Sequence, residues 1–304
     1  MEHNVRYLAE EVAEDYAAGL VSRREALRHM SVLGLSTVAA SAVLAACGGG
    51  GDDGEAASQP APTRGPVTTA AGPGTTTAAV PVQDITYPGP GITLMGVFAP
   101  AATPRGAVLV IHENRGITEF VRAITGRLAG SGYSALAVDL LSAQGGTARF
   151  NDVAELQSAL VNNATERATD DMKASLEELS RRAPGQKLGA TGFCFGGNMT
   201  YQLLNAGDPP ALAAAVPFYG AAQNTDFSRT RAAVMAVYAE NDARVNATRE
   251  AVRSGLEQAR LTHDIKTYPG TSHAFMNHTG NNYNEAQANA AYSDMAAWFG
   301  RHLA

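Results

Sequence analysis

The chain has 304 residues, 45% hydrophobic and 17% charged, with a net charge of −6 at pH 7, which suits one large α/β domain or two small ones. No run of lysine and arginine interleaved with aromatic residues gives it a basic face, which argues against nucleic acid as a partner. The two cysteines, Cys47 and Cys194, lie far apart in unlike contexts, which argues against a disulfide between them.

Tyr7-Leu8-Ala9-Glu10-Glu11-Val12-Ala13-Glu14 reads as a short helix with no legible purpose. Ser22-Arg23-Arg24-Glu25-Ala26-Leu27-Arg28 then sets two adjacent arginines ahead of an uncharged stretch from Met30 to Ala46. The pattern resembles a twin-arginine export signal, although Ala26 stands where that pattern usually has a large apolar residue. The stretch ends in Leu44-Ala45-Ala46-Cys47, which resembles a lipobox. These resemblances imply that residues 1–46 are removed on export and that Cys47, carrying a diacylglyceryl group, becomes the N-terminus. The membrane is then a partner through the lipid anchor, and the protein belongs at the outer face of the cytoplasmic membrane or in the periplasm or cell envelope. A spanning helix fits less well, because the uncharged stretch is shorter than the roughly 20 apolar residues a bilayer requires and is broken by serines and glycine. Residues 47–83, rich in Gly, Pro, Thr and Ala, bury too little to offset chain entropy and read as a disordered tether.

From residue 84 to 304 strand and helix patterns alternate, the signature of a mostly parallel sheet with helices on both faces. Ile85–Tyr87 and Ile92–Phe98 flank Pro88-Gly89-Pro90-Gly91 and predict an opening antiparallel hairpin. Short apolar runs predict inner strands at Ala107–His112, Ser134–Val138, Lys187–Gly192, Ala213–Tyr219 and Ala232–Tyr238, with a last strand at His263–Tyr268. Helical patterns fall near Glu119–Ala129, Val153–Leu160, Ala164–Ser180, Gly197–Asn205, Ala247–Ala259 and Asn284–Phe299.

The strand at Lys187 runs into Gly192-Phe193-Cys194-Phe195-Gly196-Gly197, and a helix follows at once. This fits a nucleophile elbow carrying cysteine in place of serine. The sharp turn requires glycine two residues before and two after the nucleophile, and Gly192 and Gly196 meet that demand. A thiol at a helix N-terminus is expected to be partly thiolate, below the roughly 8.5 of a free thiol. The Phe195 amide is the expected first oxyanion donor. An acid and then a histidine must follow at later strand ends. Asp242, in Ala239-Glu240-Asn241-Asp242-Ala243-Arg244-Val245, and His273, in Pro269-Gly270-Thr271-Ser272-His273-Ala274-Phe275, fill those places. Glu240 is the substitute acid, His112 the rival base, and His278 a further candidate to line the site. A buried structural cysteine beside a tight turn is the bland alternative.

The strand at Ala107 ends in His112-Glu113-Asn114-Arg115-Gly116-Ile117. Taken together, Gly-x-Cys-x-Gly-Gly around Cys194, Glu113 after an early strand, Asp242 after a later one and His273 with Phe275 make residues 84–304 similar to the dienelactone hydrolase family. The resemblance implies an α/β-hydrolase fold and a Cys194–His273–Asp242 triad. It also implies that Glu113 contacts the cysteine and that the Asn114 amide joins that of Phe195 in the oxyanion hole. No metal or organic cofactor is expected. Family members that cleave dienelactone hold its carboxylate with two arginines, where Ala143 and Asn277 stand here, leaving Arg115 and Arg149 as possible replacements. The expected activity is hydrolysis of small esters or lactones through an acyl-enzyme. The alternative is a surface lipoprotein that binds small ligands in a hydrolase-shaped pocket without turnover.

Overall fold

Apolar residues in short runs, bounded by turns, build the strands. The three innermost, β3 (Ala107–Ile111), β4 (Ser134–Asp139) and β5 (Leu188–Phe193), are buried along their whole length, as strands covered on both faces must be. The computed structural model describes residues 2–17, 21–46, 79–163, 165–207 and 212–304. Cys47 and most of the expected tether lie outside the described residues.

The other strands are β1 (Gln83–Pro88), β2 (Thr93–Ala99), β6 (Leu212–Phe218), β7 (Ala233–Asn241) and β8 (His263–Ser272). They form one eight-stranded sheet in the order β1-β2-β4-β3-β5-β6-β7-β8. The predicted hairpin is β1 and β2, paired antiparallel, and β2 also runs antiparallel to β4. Every other neighbour is parallel. The last strand continues through Ser272, further than its apolar run indicates, because Asn241 of β7 still pairs with Ser272 across a bulge. The chain has the α/β-hydrolase fold, a mostly parallel sheet with helices on both sides.

The helices in chain order are α1 (Glu2–Ala17), α2 (Arg23–Val32), α3 (Thr37–Ala46), α4 (Glu119–Gly130), α5 (Val153–Asn162), α6 (Thr165–Arg182), α7 (Phe195–Ala206), α8 (Ala243–Asn246), α9 (Arg249–Gln258) and α10 (Glu285–His302). The segment before β1 already packs on the domain, with the Val80 amide donating to the Gly126 carbonyl of α4 at 3.0 Å.

The N-terminal forty-six residues do not form one apolar rod. Ser22 and Glu25 build a capping box at the start of α2. Gly34, at φ 89°, ends it, where the Gly34 amide donates to Ser31 and the Leu35 amide to Met30, both at 3.0 Å. The Met30–Ala46 stretch is thereby divided between α2 and α3, and among the described residues no helix is long and apolar enough to cross a membrane. Leu8, Val12, Ala26, Met30, Ala40 and Leu44 of these helices join the core cluster. An Arg28–Asp152 ion pair ties α2 to the start of α5, whereas Arg23, Arg24 and Val38 stay exposed.

Candidate active site

Strand β5 delivers Cys194 into a backbone conformation of φ 55° and ψ −117°, strained for any residue with a side chain. What fixes it there is close packing of main chain. A Cβ on Gly192 would stand 2.0 Å from the Gly196 carbonyl oxygen, and one on Gly196 would stand 2.2 Å from that of Ile111. The Cys194 amide donates to Phe218 of β6 at 3.1 Å, so the turn is held against the neighbouring strand. The sulfur therefore emerges at the first turn of α7, at the carboxyl end of the sheet.

Two further strand ends bring the acid and the base. Asp242 follows β7 and caps α8, with Oδ1 accepting from the Val245 amide at 3.1 Å. Its Oδ2 lies 2.7 Å from Nδ1 of His273, which follows β8. Burial works to raise the Asp242 carboxyl, but His273, Arg244 and the Val245 amide together hold it below the usual carboxylate range. Burial likewise works to lower His273. The charge of Asp242, its hydrogen bond and the charge of Glu14 outweigh that and push the imidazole up to about 9. Nε2 of His273 makes no hydrogen bond among the described residues. The ring of Tyr219, from the end of β6, meets the His273 ring edge-on at 5.3 Å.

The competing candidates fall elsewhere. Glu240 accepts from the Gly270 amide at 2.7 Å, whereas the carboxylate on His273 Nδ1 is that of Asp242. His112 is fully buried, with Nδ1 on the Glu113 carbonyl at 2.6 Å and Nε2 accepting from the Leu140 amide at 3.1 Å, so both ring nitrogens are engaged in the fold. His278 lies against Phe120 and Tyr283, outside the cavity lining.

At the sulfur the structure departs from what the motif predicts. Cys194 Sγ donates at 3.0 Å to Oε1 of Glu11, a residue of α1. The nearest ligand atoms of Glu11, Cys194 and His273 lie within 4.8 Å of one another. The expected partial thiolate is overturned in this arrangement. Burial, Glu11 and Glu113 push the thiol well above its ordinary value, while the Phe195 amide pulls in the other direction with less effect.

Glu113 is not the sulfur's hydrogen-bond partner either. Its Oε2 accepts from Asn277 Nδ2 at 2.6 Å, its Oε1 makes no hydrogen bond among the described residues, and burial lifts the carboxyl to about 7. The Asn114 side chain donates to Oε2 of Glu11 at 2.7 Å. Glu11, Asp15, Glu113, Asn114, Arg115 and Asn277 line, with Cys194 and His273, a cavity of about 380 Å³. Arg149 instead holds the Gln144 carbonyl at 2.7 Å, and Ala143 is exposed and away from the cavity. Among the described residues two groups have the donor types to hold a metal ion, Glu11 with Cys194 and His273, and Glu14 with Asp242 and His273. Both draw on the atoms of the expected triad.

Sequence reasoning missed Glu11, Glu14, Arg244 and Tyr219. Only the helical spacing of Tyr7, Glu11 and Glu14 hinted that three polar side chains share one face.

Comparison with known proteins bears on this site. The model of a family described as the dienelactone hydrolase family matches residues 95–303. A Yersinia pestis protein provisionally named a carboxymethylenebutenolidase is 30% identical over 213 residues, spanning 66% of this chain and 79% of its own. The crystal structure of a protein from Klebsiella pneumoniae subsp. pneumoniae, provisionally named a dienelactone hydrolase, superposes with a TM-score of 0.66 at 28% identity, covering 73% of this chain and 98% of that one. A dienelactone hydrolase-like promiscuous phosphotriesterase from metagenomic libraries has a TM-score of 0.64 at 24% identity, covering 75% and 100% of the two chains, which is a likeness of fold.

Proposed function

Since the chain belongs to the dienelactone hydrolase family, we propose that it hydrolyses carboxylic ester or lactone bonds of small molecules through a Cys194–His273–Asp242 triad and an acyl-enzyme. The observation that carries this reading is the strained elbow at Cys194, within 4.8 Å of a ring nitrogen of His273, whose Nδ1 is held 2.7 Å from Asp242 and whose Nε2 makes no hydrogen bond among the described residues.

In that chemistry His273 Nε2 takes the proton of the Cys194 thiol, and the sulfur attacks the carbonyl carbon. The amides of Phe195 and Asn114 receive the developing oxyanion. His273 returns the proton to the leaving alcohol, and the acyl group stays on sulfur. Water, deprotonated by the same Nε2, then attacks the thioester and releases the acid with the thiol restored. Asp242 holds the ring in one tautomer and stabilises the imidazolium that forms twice in each cycle. Glu113, whose carboxyl burial lifts to about 7, assists by accepting or returning a proton at the sulfur when substrate arrives.

We also propose that residues 1–46 are an export signal and that Cys47 is the lipidated N-terminus of an anchored enzyme. The adjacent Arg23 and Arg24, exposed ahead of the apolar α3, support this reading. Loss of membrane association in Cys47→Ala tests it, and an unmodified Cys47 peptide recovered from membranes speaks against it.

The triad is tested by assaying p-nitrophenyl acetate together with a panel of acyl esters and lactones, and trapping the acyl group on Cys194 for mass spectrometry. Turnover of none of them, with ligand still bound, would favour a binding lipoprotein instead.

A further inference from the structure

One face of α1 carries Tyr7, Glu11 and Glu14, spaced by four and then three residues so that they point the same way. Together they meet residues that follow three different strands, β3, β5 and β7. Both oxygens of Glu11 are engaged, Oε1 by the Cys194 thiol at 3.0 Å and Oε2 by the Asn114 amide group at 2.7 Å. Arg244, two residues past the triad aspartate, reaches Glu14 at 3.0 Å and Glu11 at 3.6 Å and lies 4.8 Å over the Tyr7 ring. The Tyr7 ring in turn meets Phe195, the residue after the nucleophile, edge-on at 6.3 Å. Leu8 and Val12 are buried too and join the core cluster. Glu11 is itself only 3% exposed. A carboxylate so buried is costly unless several donors answer it, and here a thiol, an amide and a guanidinium do.

We infer that the mouth of the active site is a docking surface for an acidic amphipathic helix, and that α1 is its occupant, an inhibitor carried by the chain itself. The inference rests on the reading of Cys194 as nucleophile and His273 as base. Three consequences of the docked helix support it. The thiol's hydrogen bond goes to Glu11, although a ring nitrogen of His273 lies within 4.8 Å and Nε2 makes no hydrogen bond among the described residues, so the proton transfer that activates sulfur has no geometry. Glu11 and Asp15 stand in the cavity where the substrate carbonyl must approach. Glu14 adds its negative charge to that of Asp242 around His273, which favours the protonated ring that cannot act as base.

The test uses the full chain in three forms, unchanged, Glu11→Ala, and Leu8→Asp with Val12→Asp. Two rates are read, iodoacetamide labelling of Cys194, separated from Cys47 by peptide mapping, and hydrolysis of p-nitrophenyl acetate. Undocking should raise both by about tenfold or more in both variants. A synthetic peptide of residues 2–17 should slow the doubly substituted variant again. Labelling of Glu11→Ala at the unchanged rate would overturn the inference. That variant leaves the apolar contacts of Leu8 and Val12 in place, so it decides the matter even where the double substitution disturbs folding. Faster labelling without hydrolysis would leave the plug standing and sink the nucleophile assignment instead.

Discussion

Nδ1 of His273 stands 2.7 Å from Oδ2 of Asp242, while Nε2 of the same ring makes no hydrogen bond among the described residues. The acid thus fixes one edge of the imidazole and leaves the other edge for chemistry. Replacing Asp242 by Asn keeps the shape but lets the ring choose the wrong tautomer, and kcat should fall by roughly 10²- to 10⁴-fold. Steady-state kinetics on a neutral ester checks this, and a loss under about threefold would remove Asp242 from the mechanism.

The raised imidazole makes a pH prediction with a definite sign. Facing His273 are Asp242 and Glu14, which favour its charged form, and Arg244, which opposes it. In the intact chain turnover should rise with pH toward a midpoint near about 9, and Glu14→Gln should move that midpoint down. Stability runs the other way. A folded-state value above the unfolded one contributes stability that is complete below about 6.5 and disappears as pH rises through about 9. Thermal melts at about pH 6 and about pH 10 should therefore differ more in the unchanged protein than in His273→Ala.

Cys194→Ala should lose about 10⁴-fold in kcat, since only binding and the oxyanion donors would remain. Cys194→Ser is expected to keep a trace, because an alkoxide forms less readily than a thiolate. Near-normal turnover by Cys194→Ala on every ester tried would end the proposed mechanism.

Gly196→Ala tests the elbow by packing alone. Its Cβ would lie 2.2 Å from the Ile111 carbonyl oxygen, a main-chain atom with little freedom to move. The cost should be on the order of 3 kcal/mol, seen as a fall in Tm of roughly 6–12 °C. An unshifted melt would mean that β3 and the elbow are not packed as described.

Substrate charge gives the last prediction. Where dienelactone-cleaving relatives are expected to hold an arginine, Asn277 donates to Glu113, and Glu11, Asp15 and Glu113 give the cavity an acidic character. Neutral esters and lactones should be cleaved at least as well as those carrying a carboxylate, and paired kcat/KM values decide it. A large preference for the anionic partner would point to Arg115, the one arginine among the described residues that line the cavity.

Much of this architecture could be read from local pattern. Gly192 and Gly196 betray the elbow because the demand for a missing side chain is met within a few residues, and the apolar runs of β3 and β5 betray buried strands for the same reason. The carboxylate on the sulfur could not be read that way. Glu11 and Cys194 are 183 positions apart, and their meeting depends on which surface α1 packs against, something helical periodicity does not encode. The thiol shows the same limit. A helix N-terminus argues for a depressed value, yet burial and two carboxylates brought in from other elements outweigh it.

The covalent continuity of α1 with the domain has a quantitative side. A tethered segment faces its site at an effective concentration of order mM, whatever the dilution of the protein. Even a weak intrinsic contact therefore wins against scarce substrate, which must meet the same surface at its own far lower concentration. Once the chain is cut anywhere between α1 and β1 and the fragment diffuses away, that advantage vanishes. The helix becomes an ordinary solute at the concentration of the enzyme itself. A single peptide bond then separates two kinetic regimes of one active site, without any change in the residues that line its inner wall.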